Sequence, residues 1–427
     1  MSGRLSIFLC VLLAGPLWLA AQQAKPLTVE DLVRTGIARN KDLLAVQERI
    51  AEAQGLKKQA GVRPAASLAF RGATGKPLGT YGEEQYGAEY SQPIETFGKR
   101  GRRIKVANFA VSEAEAELQE KFAELAFGIR TTAAECLKER RKLVLLDDLA
   151  KLNQEALRLT EARVREGDAA PLEGNLLRVE INRGLVLKIG AEARLATAEI
   201  NLRKLAGLQP REALPDMEVT SPAAEELDSL KTRALQSRAD LRIARSQGEK
   251  NQASVDLAKA NGKPDVDLSA GYTRQYSQFS GLFGQTSGGT LAPLRDKADI
   301  LSFGISIPLR TSRSARGDVQ AATARASGAR LRREYLEWSI PLEVEAAYGR
   351  WTAAASSIEL LRSGVVDLSN SNLQVIREAY KLGQLRLLDV LNEQRRLVDT
   401  QLAFIDVQAD ATRGWAEVER AIGGNLP

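Results

Sequence analysis

From Arg102 to Glu166 the chain has no proline, and Gly128 is its single glycine. Proline removes a backbone donor and clashes with the preceding turn, so its absence over such a distance predicts one unbroken helix. At ~1.5 Å per residue that helix runs roughly 100 Å. A rod of this length cannot belong to a small globular core. Along it Leu145, Leu149, Leu152, Ala156 and Leu159 step by four and three, the period of coiled-coil packing. A second long stretch, Ala315 to Lys381, contains Pro341, which is expected to bend it or mark a break. Alanine, leucine, arginine and glutamate dominate and aromatics make up only 5%, a composition suited to long helices. The expected fold is mainly α with a small β part.

The long helices belong to a repeat. Residues 22–207 and 225–427 read as related halves around a linker at 208–224 that holds Pro210, Pro215 and Pro222. Each half is expected to run helix, strand, loop, strand, long helix, tight turn, helix. Asn40-Lys41-Asp42-Leu43 opens a helix as Arg238-Ala239-Asp240-Leu241 does, and Pro64 and Pro264 precede the strands. Ser91-Gln92-Pro93-Ile94 matches Ser306-Ile307-Pro308-Leu309, and Gly167 and Gly383 mark the two helix turns.

Strands are expected near 65–73, 84–93, 265–274 and 299–308. In the third, Val266, Leu268, Ala270 and Tyr272 alternate with Asp267, Ser269, Gly271 and Thr273. In the fourth, Leu301, Phe303, Ile305 and Ile307 alternate with small polar residues, and Leu68, Phe70, Tyr86, Ala88 and Tyr90 continue the pattern. The Gly-, Ser- and Thr-rich segment Gln275–Lys297 reads as a long loop. One apolar and one small polar face fits a lipid-facing, water-lined barrel wall; an edge hairpin on a soluble core is the other reading. Four strands cannot close a barrel, and an open edge in a bilayer leaves backbone groups unpaired, so a barrel here requires several copies.

The rest of the sequence narrows the chemistry. The chain has no histidine, which excludes a Ser-His-Asp triad, a Cys-His pair and a His-ligated zinc site. There is no phosphate loop, metal-spaced cysteine set or nucleotide fingerprint, so neither a cofactor nor an enzymatic activity is expected. The net charge of +6 is spread through interleaved acids and bases, which argues against nucleic acid. Residues 1–21 read as a signal peptide: Arg4, an apolar run from Ile7, then Ala20-Ala21. Its removal leaves Cys136 as the one cysteine, so no internal disulfide can form. The basic run Lys99-Arg100-Gly101-Arg102-Arg103 could meet lipid head groups or phosphates, or be a solvated helix start.

The doubled order, the run Gln92-Pro93-Ile94-Glu95-Thr96-Phe97-Gly98-Lys99-Arg100 and the segment Arg313–Asp318 resemble the TolC outer-membrane factors. The Gln-Pro-x-Glu-x-x-Gly-Lys-Arg run is similar to their heavy-metal, CzcC/CusC-like branch. The resemblance implies a homotrimer set in outer-membrane lipid, with a 12-stranded barrel and a periplasmic helical tunnel. It further implies docking, through a periplasmic adaptor, on an inner-membrane RND-type pump. Heavy-metal or drug efflux, polypeptide secretion and a pore-less exported scaffold are the functions in contention.

The resemblance also implies a gate at the helix turns. Tyr380–Asn392 is similar to the family's inner gating turn and Gly167–Glu173 to its counterpart. Asp389 would line the constriction, while Tyr380 would latch to Glu173. The family's arginine falls at Leu385, which leaves Arg386 as its neighbour, and its second aspartate position holds Asn392. Gly167, Gly383, Leu172 and Leu388 would lie on turns that meet the adaptor. Apart from any family, Asp389 and Glu173 also suit a helix N-terminus, where acids favour the first turn, and the glycines suit left-handed turns.

Overall fold

The computed structural model describes residues 28–79, 82–212, 214, 225–309, 315–382 and 384–424. The expected signal segment, most of the linker and Gly383 lie outside the described residues. In the first half come α1 (Val29–Arg39), α2 (Lys41–Ala60), β1 (Ser67–Thr74), β2 (Glu84–Ile94), α3 (Lys99–Glu166) and α4 (Pro171–Leu205). The second half has α5 (Leu227–Ser237), α6 (Ala239–Asn261), β3 (Val266–Gln285), β4 (Leu291–Ser306) and α7 (Arg316–Leu361). A π-helical turn (Arg362–Val366), α8 (Asp367–Lys381) and α9 (Leu387–Ala421) complete it. The mainly α fold with a small sheet is as expected.

Each strand pair is preceded by two helices instead of the one expected. The extra short helices, α1 and α5, are held by a core of their own half. Leu32 and Val33 of α1 pack with Ile129, Ala133 and Leu202. Leu230 and Ala234 of α5 pack likewise with Ile340, Val344 and Val418. Local caps set the entries: Thr28 Oγ1 accepts from Asp31 N, and Asn40 Oδ1 accepts from Asp42 N and Leu43 N.

α3 is one helix of 68 residues, as its lack of proline predicts. Its heptad period is as read, but the phase is one residue off. Leu146, Asn153 and Thr160 are buried, whereas Leu152 and Leu159 are exposed within the single chain. The buried amide is paired: Gln394 Nε2 of α9 donates to Asn153 Oδ1 at 2.7 Å. Pro341 does not break α7. Ile340 and Val344 are fully buried on either side of it, and that packing carries the helix across the missing donor. The change of helix type comes later, at Arg362–Val366.

The four strands form one antiparallel sheet in the order β1-β2-β3-β4. Residues opposed across an antiparallel ladder share a face. Leu68, Tyr90, Ala270 and Phe303 lie in one row, and Phe70, Ala88, Tyr272 and Leu301 in the next. The other face carries Ser91, Ser269 and Gly304, then Glu89, Gly271 and Ser302. Phe70, Leu301, Phe303 and Ile305 are all exposed in the single chain. Among the described residues β1 and β4 each present an unpaired edge.

Gln275–Lys297 is not an open loop. The β3–β4 ladder continues through it to Gln285↔Leu291, with a register shift between Gln278 and Phe283, before a turn that Thr286 and Thr290 close. Polar composition there reports exposure; it does not prevent backbone pairing.

The basic run at the start of α3 fastens the sheet to the helices. Lys99 Nζ donates to Lys263 O at 2.8 Å and pairs with Asp265 at 2.7 Å. Arg103 pairs with Glu95, while Arg100 Nε and Arg102 Nη1 donate to Gly61 O and Asp256 O. Asp265 also accepts from Thr96 N at 3.0 Å. The lipid reading of this run therefore gives way to an internal one for the donors just named. Among the described residues no helix is long and apolar enough to cross a membrane.

Candidate gate at the helix turns

Two turns lie at the end of the helices remote from the sheet. At the first, Gly167 takes φ 88° and closes α3, with Asp168 N donating to Arg163 O at 2.8 Å. That left-handed backbone is open to glycine without strain. No atom lies within 4 Å of a Cβ built on Gly167, so the turn geometry is what requires this residue. Pro171 then starts α4 at a position where its missing N–H costs nothing, and Glu173 sits in the first turn.

At the second turn, α8 ends with Leu382 N donating to Glu378 O and Gln384 N to Ala379 O. Asp389 stands in the first turn of α9, where its Oδ2 accepts from Arg386 N at 3.0 Å. This is the helix-start role that acids adopt without reference to a pore. Asp389 is nonetheless exposed.

A small core brings the two turns together. Leu177 of α4 packs with Leu387 and Leu391 of α9, with Ala156, Leu157 and Tyr380 around them. Over this core the Tyr380 hydroxyl donates to Glu173 Oε2 at 3.2 Å, and Arg163 Nη1 donates to the same hydroxyl at 3.0 Å. The Arg163 guanidinium also stands 5.8 Å from the Tyr380 ring centroid, within cation–π range. Partial burial, with the Glu173 charge nearby, raises the phenol above its ordinary pKa, so Tyr380 stays a neutral donor. A polar contact on an exposed rim can open at small cost, whereas the apolar contacts beneath it resist separation.

Tyr380 and Glu173 are thus brought together. Arg386 does not share that contact: its backbone serves the α9 cap, and the arginine at the phenol is Arg163. Sequence reasoning missed Arg163, although a basic residue in the last turn of α3 was visible. Leu172 and Leu388 are exposed beside the turns, and Gly383 lies outside the described residues. Further from the turns, Arg395 of α9 pairs with Glu180 of α4. Among the described residues no cluster of His, Cys, Asp or Glu could hold a metal ion. Cys136 is buried, and burial pushes its thiol up to about 11, so it is no nucleophile near neutral pH.

A family model described as "Outer membrane efflux protein" matches residues 32–208 and 230–424. The chain is 22% identical over 406 residues to the cobalt-zinc-cadmium resistance protein CzcC of Cupriavidus metallidurans, covering 94% of this chain and 91% of that one. Its fold is similar to that of CusC, with a TM-score of 0.75, 19% identity, and coverage of 93% and 92%. It is also similar to the outer membrane protein VceC of Vibrio cholerae, with a TM-score of 0.73, 21% identity, and coverage of 93% and 97%.

Proposed function

Because the chain belongs to the outer membrane efflux protein family, we propose that three copies assemble into a passive exit duct through the outer membrane. The observation that carries this reading is the four-stranded sheet, with its exposed apolar face and two open edges. Such a face is stable in lipid, and edges β4 and β1 of successive copies would satisfy one another, giving a 12-stranded ring. The small polar face would line the lumen. The long helices, hanging from the same rim, would continue the channel into the periplasm as a tube. No chemistry at a reacting atom is needed, only a polar wall and a closure.

In this reading the turns are the closable end. Tyr380, Glu173 and Arg163 hold the two helical hairpins together, and Asp389 from three copies forms an acidic ring. Leu172 and Leu388, with Gly167 and Gly383, would meet a periplasmic adaptor that joins the duct to an RND-type pump of the inner membrane. Heavy-metal cations are the preferred cargo, given the likeness to a cobalt-zinc-cadmium resistance protein. Selection would then rest mostly with the pump.

The test is mass and conductance together. Detergent-solubilised protein should show three chains by light scattering and carry ionic current across a planar bilayer. A monomer without current would overturn the reading. Cargo is tested by growth: a strain lacking the chain should be sensitised to cobalt, zinc or cadmium. Sensitivity to dyes and antibiotics alone would replace metals with organic substrates.

A further inference from the structure

Resting on the threefold reading above, we propose that α4 of one copy packs antiparallel against the α7–π–α8 run of the next, in the register that sets Val186 opposite Leu368. α3 packs against both α4 and α9, and α8 packs on α9. α4 and α8 are therefore the two ends of this run of helices, and at the turns those ends meet through Tyr380 and Glu173. Each carries an apolar stripe that is largely exposed among the described residues of the single chain.

On α4 the stripe is Leu172, Val179, Val186 and Ile200, with Ala193 between the last two. On α8 and its C-cap it is Leu368, Val375 and Leu382. Within each stripe the spacing is seven residues or twice that, so each is a straight seam along one side of its helix. The stripes' large side chains are between 59% and 73% exposed in the single chain. The seams lie opposite the packed faces, which hold Leu177, Ala191 and Ala198 on α4 and Leu373 on α8. An offset of two residues is about 200° around a helix.

The heights of the two seams are tied. α4 rises from its turn and α8 descends to its own, and the Tyr380–Glu173 bond and the Tyr380–Leu177 packing fix them at one level. Rotation about a threefold axis leaves height along that axis unchanged. The next copy's Leu382 therefore meets Leu172, its Val375 meets Val179, and its Leu368 meets Val186.

The positions between these layers agree with that register. Asn182 falls opposite Ser371, polar against polar, and Ile189 falls opposite Gly364, large against small. Sliding by half a heptad would set Asn182 against Leu368 or Val375 and bury an amide on apolar surface. The π turn extends the seam. It holds one residue more per turn than an α-helix, so Leu360, eight residues before Leu368, stays on the stripe while Leu361 turns half-inward. Leu360 then falls opposite Ala193, again large against small.

Cysteine cross-linking reads the register directly. In a Cys136→Ser background, Val186→Cys with Leu368→Cys, and separately Val179→Cys with Val375→Cys, are oxidised with copper phenanthroline. Both pairs should give a covalent trimer on a non-reducing gel that reductant dissolves. Val186→Cys with Val375→Cys, about 10 Å out of step along the helices, should not. Trimers by light scattering in which the in-register pairs fail to link, or the out-of-step pair links as well, overturn the register and leave the threefold reading standing. A monomeric mass for the unsubstituted protein removes both.

Discussion

Tyr380 accepts a hydrogen bond from Arg163 and donates one to Glu173, so three helices meet at one phenol. If this contact latches the turns, Arg163→Ala should raise the open fraction in bilayer recordings roughly two- to fivefold, the scale of an exposed polar contact. Lys381→Ala should leave it unchanged, because that lysine pairs with Glu378 inside its own helix. Equal conductance in Arg163→Ala and the unsubstituted protein would remove the latch. Tyr380 and Glu173 were legible through their resemblance to a known turn. Arg163 was not, because Arg386 lay nearer in sequence to the expected position. The bond from Arg163 to Tyr380 spans 217 residues, a separation that no local spacing reveals.

At the scale of elements, the junction between sheet and helices depends on a nearly buried ammonium. Lys99 holds Lys263 O and Asp265 at once. Lys99→Ala leaves the Lys263 carbonyl without that donor and removes the cation from Asp265, which keeps its bond from Thr96 N; this should cost about 1–2 kcal/mol. The melting transition followed by circular dichroism should fall by a few degrees, and an unchanged transition would show that Arg103 and Glu95 suffice. The long helix and the strand alternation could be read because period and the absence of proline act locally. The phase of α3 could not. Leu152 and Leu159 are as apolar as the residues that face the chain's own core, and a pattern of apolar positions does not say which neighbour buries them. The full length of β3 and β4 was hidden for a related reason: exposed hairpins need no apolar alternation, so their residues looked like a loop.

For the whole molecule, the proposed threefold symmetry would multiply single charges. One Asp389 is a helix-start carboxylate, but three around an axis would favour cations. Asp389→Asn keeps an oxygen for Arg386 N–H and removes the charge. It should therefore lower cation preference several-fold, read from reversal potentials in a salt gradient, without loss of folding. Unchanged selectivity would confine Asp389 to its capping role. The proposal of several copies starts from the number of strands, since four is too few to seal a ring. The proposed meeting of copies along their helices rests on the flanks of the folded chain, which a sequence pattern does not display. The length of α3 then acts as a lever. Its root is pinned beside Asp265 and its far end lies ~100 Å away, so a pivot of about 5° at the root swings the tip by roughly 9 Å. In the proposed duct, an aperture at the tips would thus widen by several ångströms while the ring in the bilayer hardly stirs.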